Sequence, residues 1–254
     1  MDLSFQLYSA RNFTPWDRVL TSLGRLGYTQ VEGFGAVYGE PESFSAQLAT
    51  AGLTMPTAHF SVEAMENEFD ASIALAEKLG IRSIFCPYLD EHQRPTNASE
   101  WADFGKRLSA INEKVRATGR RFGWHNHDFE FQPLADGTTP QQILLDEAPD
   151  MDWEADIAWI IRGGGEPLEW IEKYGPRITA VHVKDIAPTG HCEDEDGWAD
   201  VGHGIVAWRN ILRELRKHGN VQYLIVEHDN PNDFERFAKR SIEALSGMTE
   251  VQNA

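Results

Sequence analysis

The segment FGWHNHDFE, residues 122–130, sets two imidazoles, one amide and two carboxylates at the end of an apolar run. In an extended strand side chains alternate faces, so His125 and His127 point one way and Asn126 the other. Two histidines on one face can hold a divalent ion or pass a proton. Polar residues also close other β-rich runs: Glu32, His59, Asp156, His182 with Lys184, and Glu227 followed by His228 and Asp229. Each comes after apolar or β-branched residues. Charge placed again and again at one end of a buried strand is costly unless it serves a site.

Those residues need a frame that brings them together. Eight β-rich runs recur along the chain: SFQLYS, YTQVEGF, TMPTAHF, RSIFCPYL, RFGWHNH, MDWEADIAW, ITAVHVKD and VQYLIVEHD. Stretches of helical spacing separate most of them, among them PWDRVLTSLGRLG, ASEWADFGKRLSAINEKVRATG and WRNILRELRKHG. Gly27, Gly52, Gly80, Gly119 and Gly219 stand where helix C-termini are expected. Strand–helix alternation implies a parallel sheet with right-handed crossovers. With eight repeats and no linker, the expected fold is α/β, a single (β/α)8 TIM barrel over residues 1–254. An open doubly wound sheet is the alternative, weakened by the lack of a GxGxxG turn after the first strand. Gly163–Gly165 reads as a turn after a strand ending at Arg162.

At the mouth of such a barrel, Asp156, His182 and Glu227 form the core of an expected metal site and His125 is its fourth ligand. Mixed nitrogen and oxygen donors suit one Mn, Zn, Co, Fe, Ni or Mg ion better than calcium. Lys184 shares a face with His182. It either stabilises an oxyanion or pairs with Asp156, Asp185 or Glu227, and both readings stay open. His127 is a candidate proton shuttle, and Glu32, His59 and Asn126 are expected to contact substrate hydroxyls.

WHNHDFEF, EADIAWI, AVHVKD and LIVEHD, in that order, resemble the sugar phosphate isomerase/epimerase family with the xylose-isomerase-like barrel. That group also includes inosose dehydratases and, more distantly, type IV apurinic endonucleases. The resemblance spans nearly the whole chain and specifies no substrate. It implies a divalent metal held by a Glu on strand five, an Asp on strand six, a His on strand seven and a Glu on strand eight. Asp156, His182 and Glu227 match, whereas His125 stands in the strand-five position. This departure bears on any epimerisation that uses two opposed glutamates; Glu130 is expected to restore a carboxylate near the substrate.

The chemistry implied is isomerisation or epimerisation of a small keto-sugar or polyol ketone: a metal chelates the carbonyl and adjacent hydroxyl, and proton removal gives an enediolate. Catalytic roles fall to Glu227, His127 and Lys184. Dehydratase or lyase action on an inosose or 3-keto-sugar is the alternative, followed by a non-catalytic sugar-binding barrel and a nuclease. No glycine-rich cradle or Arg cluster favours a phosphorylated substrate.

A formal charge of −17 argues against nucleic acid or an anionic membrane as partner. Two cysteines, no apolar run long enough to span a membrane and no secretory pattern lead to the expectation of a cytoplasmic protein. A homo-oligomer is left open. The acidic stretch GHCEDEDGWADVGHG is expected to fold over the mouth as a lid, with Trp198 or His203 reaching the ligand.

Overall fold

A computed structural model describes residues 3–250; residues 1–2 and 251–254 of the expected domain lie outside the described residues. The strands are β1 (Leu3–Gln6), β2 (Gln30–Gly33), β3 (Thr54–His59), β4 (Ser83–Cys86), β5 (Arg121–His125), β6 (Asp152–Asp156), β7 (Ile178–Val183), β8 (Asp185–Ile186), β9 (Trp198–Ala199) and β10 (Tyr223–Val226). The first seven and β10 close a barrel in the order β1-β10-β7-β6-β5-β4-β3-β2, which excludes the open sheet. Closure is made by parallel pairing of β1 with both β10 and β2. The pair β8 and β9 is an antiparallel ribbon in the long segment after β7.

Alternation along each strand divides the core in two. Phe122 and Trp124 of β5, Trp153 of β6, and Val181 and Val183 of β7 belong to the large apolar shell shared with the helices. Phe85, Ala180 and Ile225 form a separate small cluster, with Tyr223 packed against it. Gly123 makes room for that cluster, since a Cβ there would lie 2.7 Å from the Phe85 ring and from the Asp152 carbonyl oxygen. The interior is therefore plugged by apolar side chains, and polar ones take the C-terminal end.

Helices such as Trp16–Leu26, Pro41–Ala51, Ala98–Ala117, Trp208–His218 and Phe234–Glu250 cover the strands. Gly27, Gly52, Gly80 and Gly119 adopt positive φ of 99°, 71°, 74° and 81°, as expected after helix ends. Gly219 is extended instead, and is needed because a Cβ would sit 2.6 Å from the Leu215 carbonyl oxygen. The run MDWEADIAW is not one strand. It stops at Asp156, whose Oδ1 accepts the Trp159 backbone N–H at 2.9 Å and caps a helix over Ile157–Arg162. Arg162 thus ends a helix, not a strand.

Candidate metal centre and active site

Gln6, His59 and His125 are the last residues of β1, β3 and β5, and His182 is the penultimate residue of β7. Strand alternation turns them inward, where two glutamates meet them. His59 Nε2 lies 2.6 Å from Glu154 Oε2 and 3.2 Å from Glu32 Oε1. His182 Nε2 lies 2.7 Å from Glu32 Oε1 and 3.3 Å from Glu154 Oε2, while His125 Nδ1 is 3.2 Å from Glu154 Oε2. Gln6 Nε2 donates to Glu32 Oε1 at 2.8 Å. Glu32 and Glu154 are wholly buried. Burial together with the nearby Glu32 charge pushes the Glu154 carboxyl up to about 8. Burial opposes the charged form of His59, but Glu32 and Glu154 outweigh it and carry the imidazole up to about 9.

A second group stands nearer the rim. His182 Nδ1 is 2.8 Å from Glu227 Oε2 and 4.0 Å from Asp156 Oδ2. Lys184 Nζ contacts Glu227 Oε2 at 2.8 Å, Asp229 Oδ1 at 2.9 Å and Asp156 Oδ2 at 3.2 Å. Against the cost of burial, the Lys184 ammonium and then His182 hold Glu227 well below the usual carboxylate range. Burial and then Lys184 bring His127 down to about 3, so its imidazole is neutral.

Above these groups opens a cavity of about 1180 Å³, lined among others by His59, His125, His127, Trp159, Glu227 and Asp229, with Phe34, Tyr38 and Tyr88 as aromatic walls. His125 and His127 do share a face, with ring centroids 5.0 Å apart.

Several expected substrate contacts are placed elsewhere. Asn126 Oδ1 accepts from Trp153 Nε1 at 2.8 Å and from the Asp156 N–H at 3.0 Å, and its Nδ2 donates to the Asp156 carbonyl at 3.1 Å. Its wholly buried amide ties the residue after β5 to β6 and does not reach the cavity lining. Glu130 is turned toward the shell: Oε1 accepts from Trp124 Nε1 and Oε2 from the His127 N–H, both at 2.9 Å. It restores no carboxylate at the mouth. Glu32 sits below the cavity floor, bound to Gln6 and the histidines. The buried ammonium of Lys184 pairs with Asp156 and Glu227, two of the partners expected for it, and with Asp229, while Asp185 is engaged by backbone N–H groups instead.

The acidic segment, expected to fold over the mouth, is braced at its base, and none of its residues is among those lining the cavity. Asp185 accepts backbone N–H bonds from Ile186, Gly202, Gly204 and Val206 at 2.9–3.2 Å. Trp198 is buried against Trp159, with centroids 4.8 Å apart, and His203 is exposed.

Sequence reasoning missed Glu154. Its signal was present, since in WEAD it stands two residues before Asp156 and so on the same inward face. Gln6 was missed because the run SFQLYS continues past it, whereas the strand ends there and Leu7–Ala10 turn into a short helix.

Two overlapping donor groups fit a metal ion: His59, His125, Glu154 and His182, and His125, Asp156, His182 and Glu227. In each, the ligand atoms lie within 4.8 Å of one another. Glu154 Oε1 and Glu32 Oε2 are buried without a hydrogen-bond partner, which is costly unless something else meets them, whereas Asp156 Oδ2 has the Lys184 ammonium at 3.2 Å and His125 Nδ1 has Glu154 Oε2 at 3.2 Å.

Comparison with known proteins agrees with this architecture. The xylose isomerase-like TIM barrel family matches residues 22–248. The chain belongs to that family. A sugar phosphate isomerase/epimerase from Parabacteroides distasonis superposes with a TM-score of 0.79 at 22% identity, over 96% of this chain and 93% of that one. The IOLI protein, solved with a zinc atom, gives 0.76 at 15% identity over 98% and 96%. Inosose dehydratase from Klebsiella pneumoniae is 20% identical over 92% of this chain and 91% of its own. The family's sugar-processing members include isomerases/epimerases and dehydratases.

Proposed function

We propose that the protein is a divalent-metal-dependent enzyme that moves a proton on the carbon beside the carbonyl of a small polyhydroxylated ketone, isomerising or epimerising it. The observation that carries this is the convergence of histidine and carboxylate donors on the floor of an open cavity, beside a carboxylate kept ionised. A bound ion supplies Lewis-acid polarisation of the carbonyl and acidifies the adjacent C–H. His125 and His182, common to both donor groups, would hold it, with carboxylates from Glu154 or from Asp156 and Glu227. Glu227 faces the cavity as the proton acceptor. His127, neutral and also facing the cavity, relays the proton, accepting it on one ring nitrogen as it gives up the proton on the other. Trp159, Tyr38 and Tyr88 give flat apolar walls for a sugar face. Apart from the His59 imidazole, which Glu32 and Glu154 already pair, the cation among the lining residues is Arg107, bonded to both carboxylate oxygens of Glu66 at 2.8 Å. That favours an uncharged substrate over a phosphoester.

A second reading, dehydration of an inosose or keto-sugar, is favoured by the asymmetry of the bases. His125 stands at the end of β5 and Glu130 is turned away, so the mouth lacks the strand-five glutamate of a symmetrical epimerase. Inosose dehydratases are also among the curated relatives. Incubating the metal-loaded protein in D2O with free keto-sugars and inososes, followed by NMR, separates the two. Deuterium entering the α-carbon with an isomer or epimer accumulating supports the first reading, and loss of water to a conjugated product supports the second. Neither exchange nor elimination across the panel sinks the proposal.

A further inference from the structure

We infer that the ion sits in the deeper group, with His59, His125, His182 and Glu154 as its ligands, and that Glu227 is left out of the ligand set. This rests on the metal-dependent reading above and adds which residues bind. Glu154 Oε2 is met by three imidazole nitrogens, His59 Nε2 at 2.6 Å, His125 Nδ1 at 3.2 Å and His182 Nε2 at 3.3 Å. Ligand atoms bound tetrahedrally to zinc lie about 3.3 Å apart, so two of these separations already match and small side-chain shifts would admit an ion. The histidines come from alternate strands β3, β5 and β7, the way one layer of a barrel interior is built.

Two further observations favour this group over the one at the rim. The unpartnered oxygen Glu154 Oε1 belongs to a wholly buried ligand of the deeper group, whereas Asp156 Oδ2 at the rim already has the Lys184 ammonium at 3.2 Å. At the rim, Lys184 Nζ already stands against Asp156 Oδ2 and Glu227 Oε2. A divalent ion placed between those oxygens would face an ammonium only a few ångströms off, which electrostatics disfavours. In the deeper arrangement His182 uses Nε2 for the ion and donates its Nδ1–H to Glu227, 2.8 Å away, a carboxylate–histidine–metal chain. Glu227 is then both the anchor of that imidazole and a carboxylate free to accept the substrate's proton. His59 and His125 line the cavity, so a substrate carbonyl has access to the ion.

Zinc affinity, measured by chelator competition on the full chain, tests the assignment, because His59 and Glu154 belong to one group alone and Asp156 to the other. The expected result is that His59→Gln and Glu154→Gln each bind zinc at least about 100-fold more weakly than Asp156→Asn, whose affinity stays within about tenfold of the parent. The reverse order, or equal losses in all three, overturns the inference and leaves a metal-dependent enzyme standing. A parent protein that takes up no zinc, manganese or cobalt overturns both. Should Glu154→Gln fail to fold, zinc-edge X-ray absorption of the parent at one equivalent decides: three imidazoles support the deeper site, and two or fewer reject it.

Discussion

Glu130 shows what a single buried carboxyl can do away from the chemistry. Burial raises it from its ordinary 4.5 to about 8, against N–H bonds from Trp124 and His127 that favour the charged form. A carboxyl whose folded value lies above its unfolded one favours the fold below the unfolded value, and that contribution is lost as pH climbs toward the folded value. Glu130→Gln removes the dependence. Between pH 4.5 and 8 the parent should therefore lose stability relative to the variant, by a few kcal/mol at most, as read from denaturant midpoints (about 1.4 kcal/mol per pKa unit). Parallel pH profiles for the two proteins would show that Glu130 is ionised in the fold. Glu227→Gln works on turnover instead. It keeps the shape beside Lys184 and His182 while removing the proton acceptor, so kcat should fall by about 10²–10⁴-fold with the circular dichroism unchanged. Undiminished turnover would take Glu227 out of the reaction.

Among the elements, the segment after β7 depends most on one residue. Asp185 gathers four backbone N–H groups, three of them from the far end of the segment. Asp185→Ala leaves those donors unpaired, and each such loss costs about 1–3 kcal/mol when buried. The expected outcome is rapid proteolytic nicking between residues 190 and 197 with the barrel intact; unchanged resistance would mean that Trp198 packing alone holds the ribbon. How far the elements could be read from the chain follows the same divide between local and distant causes. The eight strand runs were visible because alternation and flanking glycines are local signals. The end of β6 was not, because Ile157, Ala158 and Trp159 continue an apolar pattern that only the Asp156 cap turns into a helix. At the site, His125, Asp156, His182 and Glu227 were legible as polar strand ends. The diversion of Asn126 and Glu130 was not, since it depends on Trp153 and Trp124 presenting indole N–H groups that need partners inside the shell.

At the scale of the whole molecule, barrel closure draws donors separated by up to 150 residues of sequence, Glu32 and His182, to hydrogen-bond distance. No helix among the described residues is long and apolar enough to cross a membrane. The charge of −17 bears on relatives of this fold that act on DNA. A titration with labelled duplex at low salt should give no saturable binding, because a protein that neutralises few phosphates gains little from counterion release. Tight, salt-sensitive binding would reopen the nuclease alternative.

Trp159 gives the molecule a built-in optical gauge. Its half-buried indole lines the cavity, 5.4 Å from the His127 ring and 5.1 Å from the Lys184 ammonium, whereas Trp124, Trp153, Trp198 and Trp208 are sealed in the interior. A ligand entering the mouth must displace water from that one ring. Intrinsic emission should then change in proportion to occupancy in the parent and stay flat in Trp159→Phe, so substrates can be screened by fluorescence with no knowledge of the product.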